Sequence, residues 1–401
     1  MKVCHLTTST SGGAGIAASR LSKGLTGLKV SSAVQSRASR SLRAYKQVLE
    51  LIFFKFDKFK LRRIKGSYEA LSSHRVRNFK YSLSKYDLCN LHWISLFVDW
   101  EAFFTDRELP PLVWTLHDMN PFLGLAHYQE DADKLRTELA EGRSLDDTTC
   151  SDLDHKTWRE KQSILTKIAS DQIHFVCPSQ WLANEVKKSF LKRFPITVIP
   201  NGIDTKILKP INRAVAQEIL SSNKQGLKTI LFVADSVGNR RKGIDVLINA
   251  LSFIGKPSDY ELLIMGKGFE EDLDAFSVSN LSYISDDRLK SCVYSSADLF
   301  IIPSREDNLP NTVLESLACG TPVIGSNVGG IPDMVRPGLT GDLFEVGNAE
   351  DLAGKIDAWF RRDDLEQISK NCRDVAVNEY DISIQAKAYK KLYEDILKNN
   401  E

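Results

Sequence analysis

The feature that most constrains this chain is a repeated order of elements. A short run of β-branched and aliphatic residues is followed by Gly or Ser and then by a segment of helical periodicity. In the first half of the chain these apolar runs lie at residues 2–8, 112–118 and 172–179. A second series lies at residues 228–235, 260–266, 298–304 and 321–326. Strands that alternate with helices are typical of α/β proteins with a mostly parallel sheet, so the order predicts an α/β fold.

Length and a cluster of structure-breaking residues predict two domains. A chain of 401 residues exceeds the ~250–300 residues at which one hydrophobic core stops growing. The strand and helix order restarts after a segment that carries Pro195, Pro200, Gly202 and Pro210, and such a cluster interrupts periodic structure. We expect two Rossmann-like, doubly wound domains at residues 1–205 and 206–380 that face each other across a cleft. Ligands of such sheets collect at the carboxyl ends of the strands.

The last segment, residues 381–401, is predicted to be a helix that packs across both domains and so returns to the first one. Ile384, Ala388, Leu392 and Ile396 recur in it at a spacing of four, which is the spacing of one helical face.

Composition narrows the class of protein. With 42% hydrophobic and 26% charged residues, 23 Gly and 13 Pro, the chain does not fit collagenous, disordered or coiled-coil proteins. No apolar run reaches the ~18–20 residues of a membrane span, and the first residues lack the apolar stretch of a signal peptide. The seven cysteines are scattered and never in CxxC spacing, which argues against a disulfide framework and a zinc site. These observations favour a cytoplasmic protein.

The charge is balanced overall but unevenly distributed. The chain has 53 Lys and Arg residues and 52 Asp and Glu residues, so its net charge gives no reason to expect a nucleic-acid partner. Residues 37–80 hold 13 basic and three acidic side chains, a net charge of +10 that leaves −9 for the rest. This window includes an apolar helical face at Leu49, Ile52, Phe53, Phe56 and Phe59. One interpretation of this window is a contact with anionic lipid at the inner face of the plasma membrane. The interpretation that we favour is an ordinary amphipathic helix packed on the first sheet.

Two patterns in the first half carry candidate binding groups. Gly12, Gly13 and Ala14 stand between the first strand and the following helix, where backbone N–H groups and the helix dipole suit a diphosphate or a sugar. A plain tight turn is the alternative, and the absence of GxGxxG argues against a nicotinamide cofactor. His117, followed by Asp118, ends a predicted strand and is a candidate for a polar role in an active site. A structural, hydrogen-bonded histidine is the alternative.

The second half holds two further patterns. Arg240, Arg241 and Lys242 precede a predicted helix, where cations stabilise a departing diphosphate, although a solvated basic turn would look the same. Asp307 and Glu315 lie eight residues apart, the first in a loop and the second about two turns into a helix capped near Asn308. Each carboxylate can accept hydrogen bonds from vicinal hydroxyls, Asp307 on a sugar and Glu315 on a ribose.

Taken in order, the motifs resemble one family. The Gly-rich first loop, VIPNGID at 198–204, the RKG turn at 241–243, the two acids and GLTGDLF at 338–344 are together similar to a retaining glycosyltransferase of the GT4 family, which has the GT-B fold. The resemblance covers essentially the whole chain. TLHDMNPF at 115–122, followed by His127 and Tyr128, is similar to the branch that builds bacterial exopolysaccharide and O-antigen.

The resemblance implies a role for each position. Asp307 would meet hydroxyls of the donor sugar, unless Glu306 does so at a spacing of nine, and Glu315 would meet the ribose. Lys242 with Arg241 or Arg240 would neutralise the diphosphate, Gly13 would face the donor, and His117 would lie near the sugar and the acceptor. The loop and first helical turn add further donor-binding candidates: Asn308, Leu309, Asn311 and Thr312.

The implied reaction uses a nucleoside-diphosphate sugar as donor and a saccharide or lipid-linked saccharide as acceptor, with no metal ion. One departure is Ser236, since many members carry Arg six residues before the lysine. Asp152 and Asp154 imitate a metal-binding DxD motif in an unsuitable polar segment. An epimerase or hydrolase of the same fold, or a noncatalytic sugar-nucleotide-binding subunit, stays open as an alternative, as do the base, the sugar and the linkage.

Overall fold

The structure is a computed structural model that describes residues 1–36, 83–95, 97–129, 148–220, 226–269 and 276–399. The chain divides into two compact units. The first comprises Met1–Pro178, Leu182–Ile199 and Tyr389–Glu401, and the second comprises Ser179–Trp181 and Pro200–Ala388.

The first unit contains a six-stranded sheet in which every pair of neighbouring strands is parallel. The strand order is β2-β1-β3-β4-β5-β6. The strands are β1 (Lys2–Thr7), β2 (Ser31–Ser36), β3 (Leu88–Leu91), β4 (Leu112–Thr115), β5 (Ile173–Cys177) and β6 (Ile196–Val198). The helices that follow them are Gly12–Gly27, Trp100–Phe104, Thr148–Thr166 and Gln180–Lys188, with a 3-10 turn at Phe190–Arg193.

The core of the first unit lies between this sheet and its helices. The central strands β3 and β4 are buried at every position, as expected for parallel strands that are covered on both faces. Trp114 stacks on Phe175 of the neighbouring strand at 5.7 Å between ring centroids. Polar residues inside the sheet are hydrogen-bonded, since Asn90 donates to the Tyr393 hydroxyl at 2.7 Å.

The second unit repeats the architecture with a second all-parallel sheet. Its strand order is β12-β11-β10-β7-β8-β9. The strands are β7 (Lys228–Ser236), β8 (Tyr260–Lys267), β9 (Ser277–Asn280), β10 (Leu299–Ile302), β11 (Val323–Ser326) and β12 (Gly341–Phe344). Its helices are Arg213–Ile219, Ile244–Leu251, Asp287–Ser296, Asn311–Ala318, Ile331–Met334, Ala349–Trp359 and Leu365–Glu379, with 3-10 turns at Arg240–Lys242 and Pro257–Asp259.

The prediction of two doubly wound parallel sheets is confirmed, and each of the seven apolar runs contains a strand. The strands that the periodicity missed are short, polar or both. For example, β2 has the sequence SSAVQS and β9 has SVSN. Both are edge strands, where one-sided burial does not require a continuous apolar run.

The predicted last helix is present at Ile382–Asn399, but its most buried side chains lie one position after the predicted apolar row. Gln385, Tyr389 and Tyr393 are buried, whereas Ile384 is 37% exposed. The helix buries tyrosines because their hydroxyls find partners in the first unit, where Tyr389 pairs with the Thr115 hydroxyl at 2.9 Å.

The basic window at residues 37–80 and its apolar face, from Leu49 to Phe59, lie outside the described residues. Within the described ranges, no helix combines the length and the apolar composition that crossing a bilayer requires.

Candidate functional site

The strongest candidate site lies at the carboxyl edge of the second sheet. Strands β7 and β10 are neighbours there, and the turn after β7 carries Lys242 while the loop after β10 carries Asp307. Because parallel strands end at the same edge, residues 65 positions apart in sequence meet.

Asp307 is the centre of this cluster. Lys242 Nζ donates to Asp307 Oδ2 at 2.5 Å, and Arg241 Nη1 lies 3.3 Å from the same oxygen. On the other carboxylate oxygen, the backbone N–H of Asn308 donates at 3.2 Å. The side chain of Asp307 is 8% exposed, against 13% for Arg241 and 23% for Lys242. A buried carboxylate therefore holds two cations that remain partly open to solvent.

The two cations decide the ionisation of Asp307. Burial alone would disfavour the charged form, but the charges of Lys242 and Arg241 outweigh it, and the pKa of Asp307 lies below its ordinary value. The carboxylate is therefore ionised at neutral pH, and it compensates one of the two positive charges beside it.

The backbone under Lys242 requires glycine. Gly243 has φ 72°, in the left-handed region, and a Cβ there would lie 2.0 Å from the Pro303 carbonyl oxygen. This close approach sets the β7 turn against the β10 loop, where the Arg305 N–H donates to the Arg241 carbonyl at 2.8 Å. Asn239 caps the 3-10 turn by accepting from the Arg241 N–H at 3.0 Å.

A pair of glycines in the loop after β11 supports Asp307. Gly329 has φ 60°, and a Cβ there would lie 2.0 Å from the Asp307 carbonyl oxygen, while a Cβ on Gly330 would lie 1.7 Å from that of Asn308. The Gly330 N–H donates to the Asp307 carbonyl at 3.0 Å. The loop around the acid is thus held by backbone contacts that only glycine allows.

The structure separates Glu306 from Asp307. Asp307 faces both cations, whereas the described contact of Glu306 is made by its carbonyl oxygen, which accepts from Arg241 Nη1 at 2.8 Å. Among the described contacts, the carboxylate that meets both cations belongs to the acid at the eight-residue spacing. Arg240 is exposed, and its carbonyl accepts from Arg305 Nη1 at 2.7 Å.

The remaining predicted residues of this loop lie around the start of helix Asn311–Ala318. Asn308 is buried and accepts from the Ser179 hydroxyl at 2.6 Å, and Leu309 is buried too. Asn311 and Thr312 form the first helical turn and are half-buried. The predicted cap near Asn308 is wrong, because Pro310 takes the capping position; its fixed φ suits the start of a helix.

Glu315 lies in helix Asn311–Ala318, which follows strand β10, and it is 3% exposed. Lys290 Nζ is 3.3 Å from its Oε1, and the Tyr294 hydroxyl donates to its Oε2 at 3.2 Å. Sequence reasoning missed both partners. The available signal was their spacing of four on one face of helix Asp287–Ser296, since a lysine and a tyrosine one turn apart on a buried face need an acceptor.

In the first unit, Gly12, Gly13 and Ala14 form the first turn of helix Gly12–Gly27, whereas the sequence placed them between the first strand and the helix. The residue that needs to be glycine for packing is the next one, Gly15. A Cβ there would lie 2.2 Å from the Ser9 carbonyl oxygen. The first turn of this helix is thereby held close to the loop after β1.

His117 lies two residues beyond the end of β4. Because the strand has already ended, His117 and Asp118 line one small cavity of about 10 Å³, together with His92 and Asn120. His117 Nε2 is 2.9 Å from His92 Nδ1. Burial lowers the pKa of His117 to about 4 against the opposing charge of Asp118, so its imidazole is neutral at pH 7.

Sequence reasoning missed most of the polar groups around this cavity. Asp118 Oδ2 is 2.6 Å from His127 Nδ1, and fully buried Lys161 donates to the Asn120 carbonyl at 2.7 Å and to the Gly124 carbonyl at 2.6 Å. Burial lowers the pKa of Lys161 to about 7. No short sequence pattern joins residues so far apart, so only the fold reveals the cluster.

Asp154, the second acid of the DxD imitation, has a structural contact. Its Oδ1 accepts from the Leu125 N–H at 2.6 Å, and the residue is buried. It anchors the loop after β4 to helix Thr148–Thr166.

Comparison with known families covers both halves of the chain. Residues 11–207 match the family model described as Glycosyltransferase Family 4, and residues 227–362 match the model described as Glycosyl transferases group 1.

Two relatives illustrate the similarity. The phosphatidyl-myo-inositol mannosyltransferase of Mycobacterium leprae is 30% identical over 205 residues, which are 49% of this chain and 53% of that protein. The UDP-Gal:alpha-D-GlcNAc-diphosphoundecaprenol alpha-1,3-galactosyltransferase of Escherichia coli is 28% identical over 234 residues, which are 53% of this chain and 58% of that protein. The chain thus spans about half the length of the curated relatives it matches.

Among solved structures, sucrose-phosphate synthase from Thermosynechococcus elongatus is similar with a TM-score of 0.68 at 18% identity, over 100% of both chains. This likeness concerns the fold, and the predicted GT-B fold with its two Rossmann-like domains is confirmed. With two family models that together span most of its length, the chain belongs to the GT4 family of glycosyltransferases.

Proposed function

We propose that the chain is a retaining glycosyltransferase. It moves a sugar from a nucleoside-diphosphate sugar to a saccharide or lipid-linked saccharide acceptor in the biosynthesis of a surface polysaccharide. The observation that carries the proposal is the pair of cations, Lys242 and Arg241, on one buried carboxylate at the carboxyl edge of the second sheet.

The cation pair supplies what the costly step needs. As the bond between the anomeric carbon and the diphosphate breaks, negative charge develops on the departing oxygen, and oriented cations lower the energy of that state. Asp307 holds Lys242 in place before any ligand binds, at 2.5 Å. The cations are therefore oriented in advance, and little reorganisation is required when the charge develops.

Asp307 takes a second role once the sugar is bound. An ionised carboxylate has about four lone-pair sites; Lys242 and, at 3.4 Å, the Ser304 hydroxyl donate to Oδ2 of Asp307, and the Asn308 N–H donates to Oδ1. The remaining sites suit the hydroxyl hydrogens of the donor sugar, which would orient its anomeric carbon.

Glu315 suits the ribose for the same reason. Its oxygens receive Lys290 at 3.3 Å and Tyr294 at 3.2 Å, and a carboxylate oxygen can accept more than one hydrogen bond. Lys290 also forms an ion pair with the buried carboxylate of Glu315.

The proposed step balances without a metal ion. The acceptor oxygen bonds to the anomeric carbon on the face from which the diphosphate departs, and the acceptor proton moves to the departing phosphate oxygen. Lys242 and Arg241 take the charge-stabilising part that a metal ion plays in other glycosyltransferases. Neutral His117 contributes a polar contact to the sugar or the acceptor.

The names of the relatives support the classes of donor and acceptor. The Escherichia coli relative is named for UDP-Gal and for a diphosphoundecaprenol-linked sugar, and the Mycobacterium leprae relative for phosphatidyl-myo-inositol. Both acceptors carry a lipid, which supports a lipid-linked saccharide as the acceptor here.

The test is donor consumption by the purified chain, with a panel of uridine and guanosine diphosphate sugars, in the presence and absence of undecaprenyl-diphosphate-linked saccharides. The proposal predicts rapid loss of one donor only when an acceptor is present, and a product of unchanged anomeric configuration by NMR. Consumption that ignores the acceptor would indicate a hydrolase or epimerase instead. Thermal stabilisation by a donor without any consumption would indicate a noncatalytic binding subunit.

A further inference from the structure

Arg305 contacts the turn that carries the cations through both its backbone and its side chain. It lies in the loop after β10, two positions before Asp307. Its backbone N–H donates to the Arg241 carbonyl at 2.8 Å, and its Nη1 donates to the Arg240 carbonyl at 2.7 Å. One residue thus holds two successive carbonyl groups of the 3-10 turn Arg240–Lys242.

Asp245 fixes the guanidinium group of Arg305. Nη1 of Arg305 lies 2.9 Å from Asp245 Oδ1, and Nη2 lies 2.6 Å from Oδ2. A bidentate pair of this kind sets the orientation of the guanidinium plane as well as its position. Asp245 stands in the first turn of helix Ile244–Leu251, which follows the 3-10 turn in the chain. The turn is therefore held between the β10 loop and the helix after it.

The charges of this pair compensate each other. Hydrogen bonding from Arg305, together with its positive charge, outweighs burial and holds the pKa of Asp245 below its ordinary value. Asp245 is therefore ionised at neutral pH and compensates the charge of Arg305. By contrast, Lys242 and Arg241 share the single carboxylate of Asp307. Arg305 thus gives the turn hydrogen bonds and adds little net charge to the site.

The turn needs support because of its own composition. It consists of three basic residues in succession, Arg240–Lys242, and their like charges repel one another. The hydrogen bonds of a 3-10 turn also have poorer geometry than those of an α-helix. The path of the turn decides where the Lys242 side chain begins. A shift of the turn would therefore move Lys242 Nζ away from its position 2.5 Å from Asp307 Oδ2.

We propose that Arg305 and Asp245 are positioning residues that orient the cation pair toward the diphosphate of the donor. Arg305 acts through its hydrogen bonds to the turn, and Asp245 acts by keeping the guanidinium group of Arg305 in place. That the cations meet a diphosphate rests on the proposed function, whereas the support of the turn by Arg305 does not.

Two substitutions weaken this support by different means. Arg305→Lys keeps the positive charge but loses the planar fork that forms the bidentate pair. Asp245→Asn keeps the shape of the side chain, but its NH₂ group cannot accept from Arg305. Arg362→Lys is the matched control, because Arg362 also forms a bidentate pair, with Asp364 at 2.7 and 2.6 Å, after the end of helix Ala349–Trp359.

The first measurement needs no donor or acceptor. ¹⁵N NMR of lysine side chains detects an ammonium group whose protons are held by hydrogen bonds and exchange slowly with water, and Lys242→Met assigns the Lys242 signal. The proposal predicts this signal in the unmodified protein and in Arg362→Lys, and its loss in Arg305→Lys and Asp245→Asn. A signal that is absent from the unmodified protein, or that survives in both site variants, would overturn the proposal.

Turnover gives the second measurement. Arg305→Lys should lower kcat about tenfold and change donor KM by less than about twofold, because displaced cations lose contact with charge that develops only in the transition state. Arg362→Lys should leave both values unchanged. If Arg305→Lys lowers the thermal stability but leaves kcat unchanged, the role of Arg305 is merely structural and the proposal fails.

The double variant tests whether the two residues act together. Arg305→Lys combined with Asp245→Asn should be no slower than Arg305→Lys alone, since both changes break the same bidentate pair. Effects that multiply would mean that Asp245 acts separately, which would overturn its assigned role.

The two measurements also separate this inference from the proposed function. Expected NMR results without transfer to any acceptor would refute the proposed function and support the positioning of the turn. Transfer at the same rate in the site variants and the control would refute the positioning. If Arg305→Lys does not fold, Asp245→Asn decides the proposal, because the Asp245 side chain is 51% exposed.

Discussion

Replacing Lys242 by Met tests the cation pair most directly. The change keeps the apolar stem of the side chain and removes the ammonium group whose Nζ lies 2.5 Å from Asp307 Oδ2. Arg241 remains 3.3 Å from the same oxygen. The carboxylate therefore keeps one cation, and the site loses one unit of positive charge that would face the diphosphate.

The effect on stability should be modest. Removing one partner of a fully buried ion pair costs about 3–5 kcal/mol because the other charge is left uncompensated. Here Lys242 is 23% exposed and Arg241 still compensates Asp307. We therefore expect a decrease of about 1–2 kcal/mol in the free energy of unfolding, which leaves a folded protein.

The effect on turnover should be far larger. Loss of one oriented group that stabilises developing charge typically costs about 10²–10³ in kcat. Because the charge appears only as the bond breaks, donor binding should weaken much less than kcat falls. The measurements are urea unfolding and initial rates over a range of donor concentrations.

Lys256→Met is the matched control. This lysine is exposed and precedes strand β8, at the amino-terminal edge of the same sheet, so it removes the same charge far from the site. It should leave stability and turnover nearly unchanged. A folded Lys242→Met protein whose kcat stays within about threefold of the original would refute the assigned role.

Three further predictions concern the surroundings. Gly329→Ala should reduce donor turnover more than Gly338→Ala. Both glycines have positive φ, but a Cβ at Gly329 would lie 2.0 Å from the Asp307 carbonyl oxygen, whereas nothing lies within 4 Å of a Cβ at Gly338. Initial rates and unfolding curves of the two variants test this. Glu315→Gln should weaken nucleoside diphosphate binding by calorimetry about tenfold, since an amide accepts fewer hydroxyl hydrogens than a carboxylate. The free energy of unfolding should fall by about 1 kcal/mol for each of His5 and His117 between about pH 7.5 and pH 5.5. In the unfolded state both histidines take up protons below about pH 6.5, whereas in the folded state their pKa values are about 3 and about 4. Urea unfolding at both pH values checks this, and His5→Asn should lessen the loss.

Much of the second unit could be predicted because its signals are local. The apolar runs located β7 and β10, and the rule that ligands collect at the carboxyl ends of parallel strands directed attention to the segments after them, which carry Lys242 and Asp307. The spacing left Glu306 open as an alternative to Asp307, and the contacts of Asp307 with Lys242 and Arg241 were needed to choose between them. The contact geometry could not be predicted, because it depends on glycines such as Gly329 that lie in another loop.

The polar cluster of the first unit was largely invisible in the sequence. His5 and His92 are 87 positions apart, and each stands alone among apolar neighbours. A histidine in such a context is usually a satisfied structural residue, and no spacing rule links it to a partner in another strand. Only the pairing of β1 with β3 brings the two rings together. Polar chains across a parallel sheet are therefore harder to predict than sites built in a single loop.

The absence of Arg at position 236 raises the question of how the site acquires its second cation. Ser236 ends strand β7, and its neutral hydroxyl cannot supply one. Arg241 does so from the residue next to Lys242, and its planar group reaches both the Glu306 carbonyl at 2.8 Å and Asp307. Adjacent side chains normally diverge in a 3-10 turn. They converge here because Asp307 stands between them, so the acid is as necessary for assembling the cation pair as for contacting the sugar.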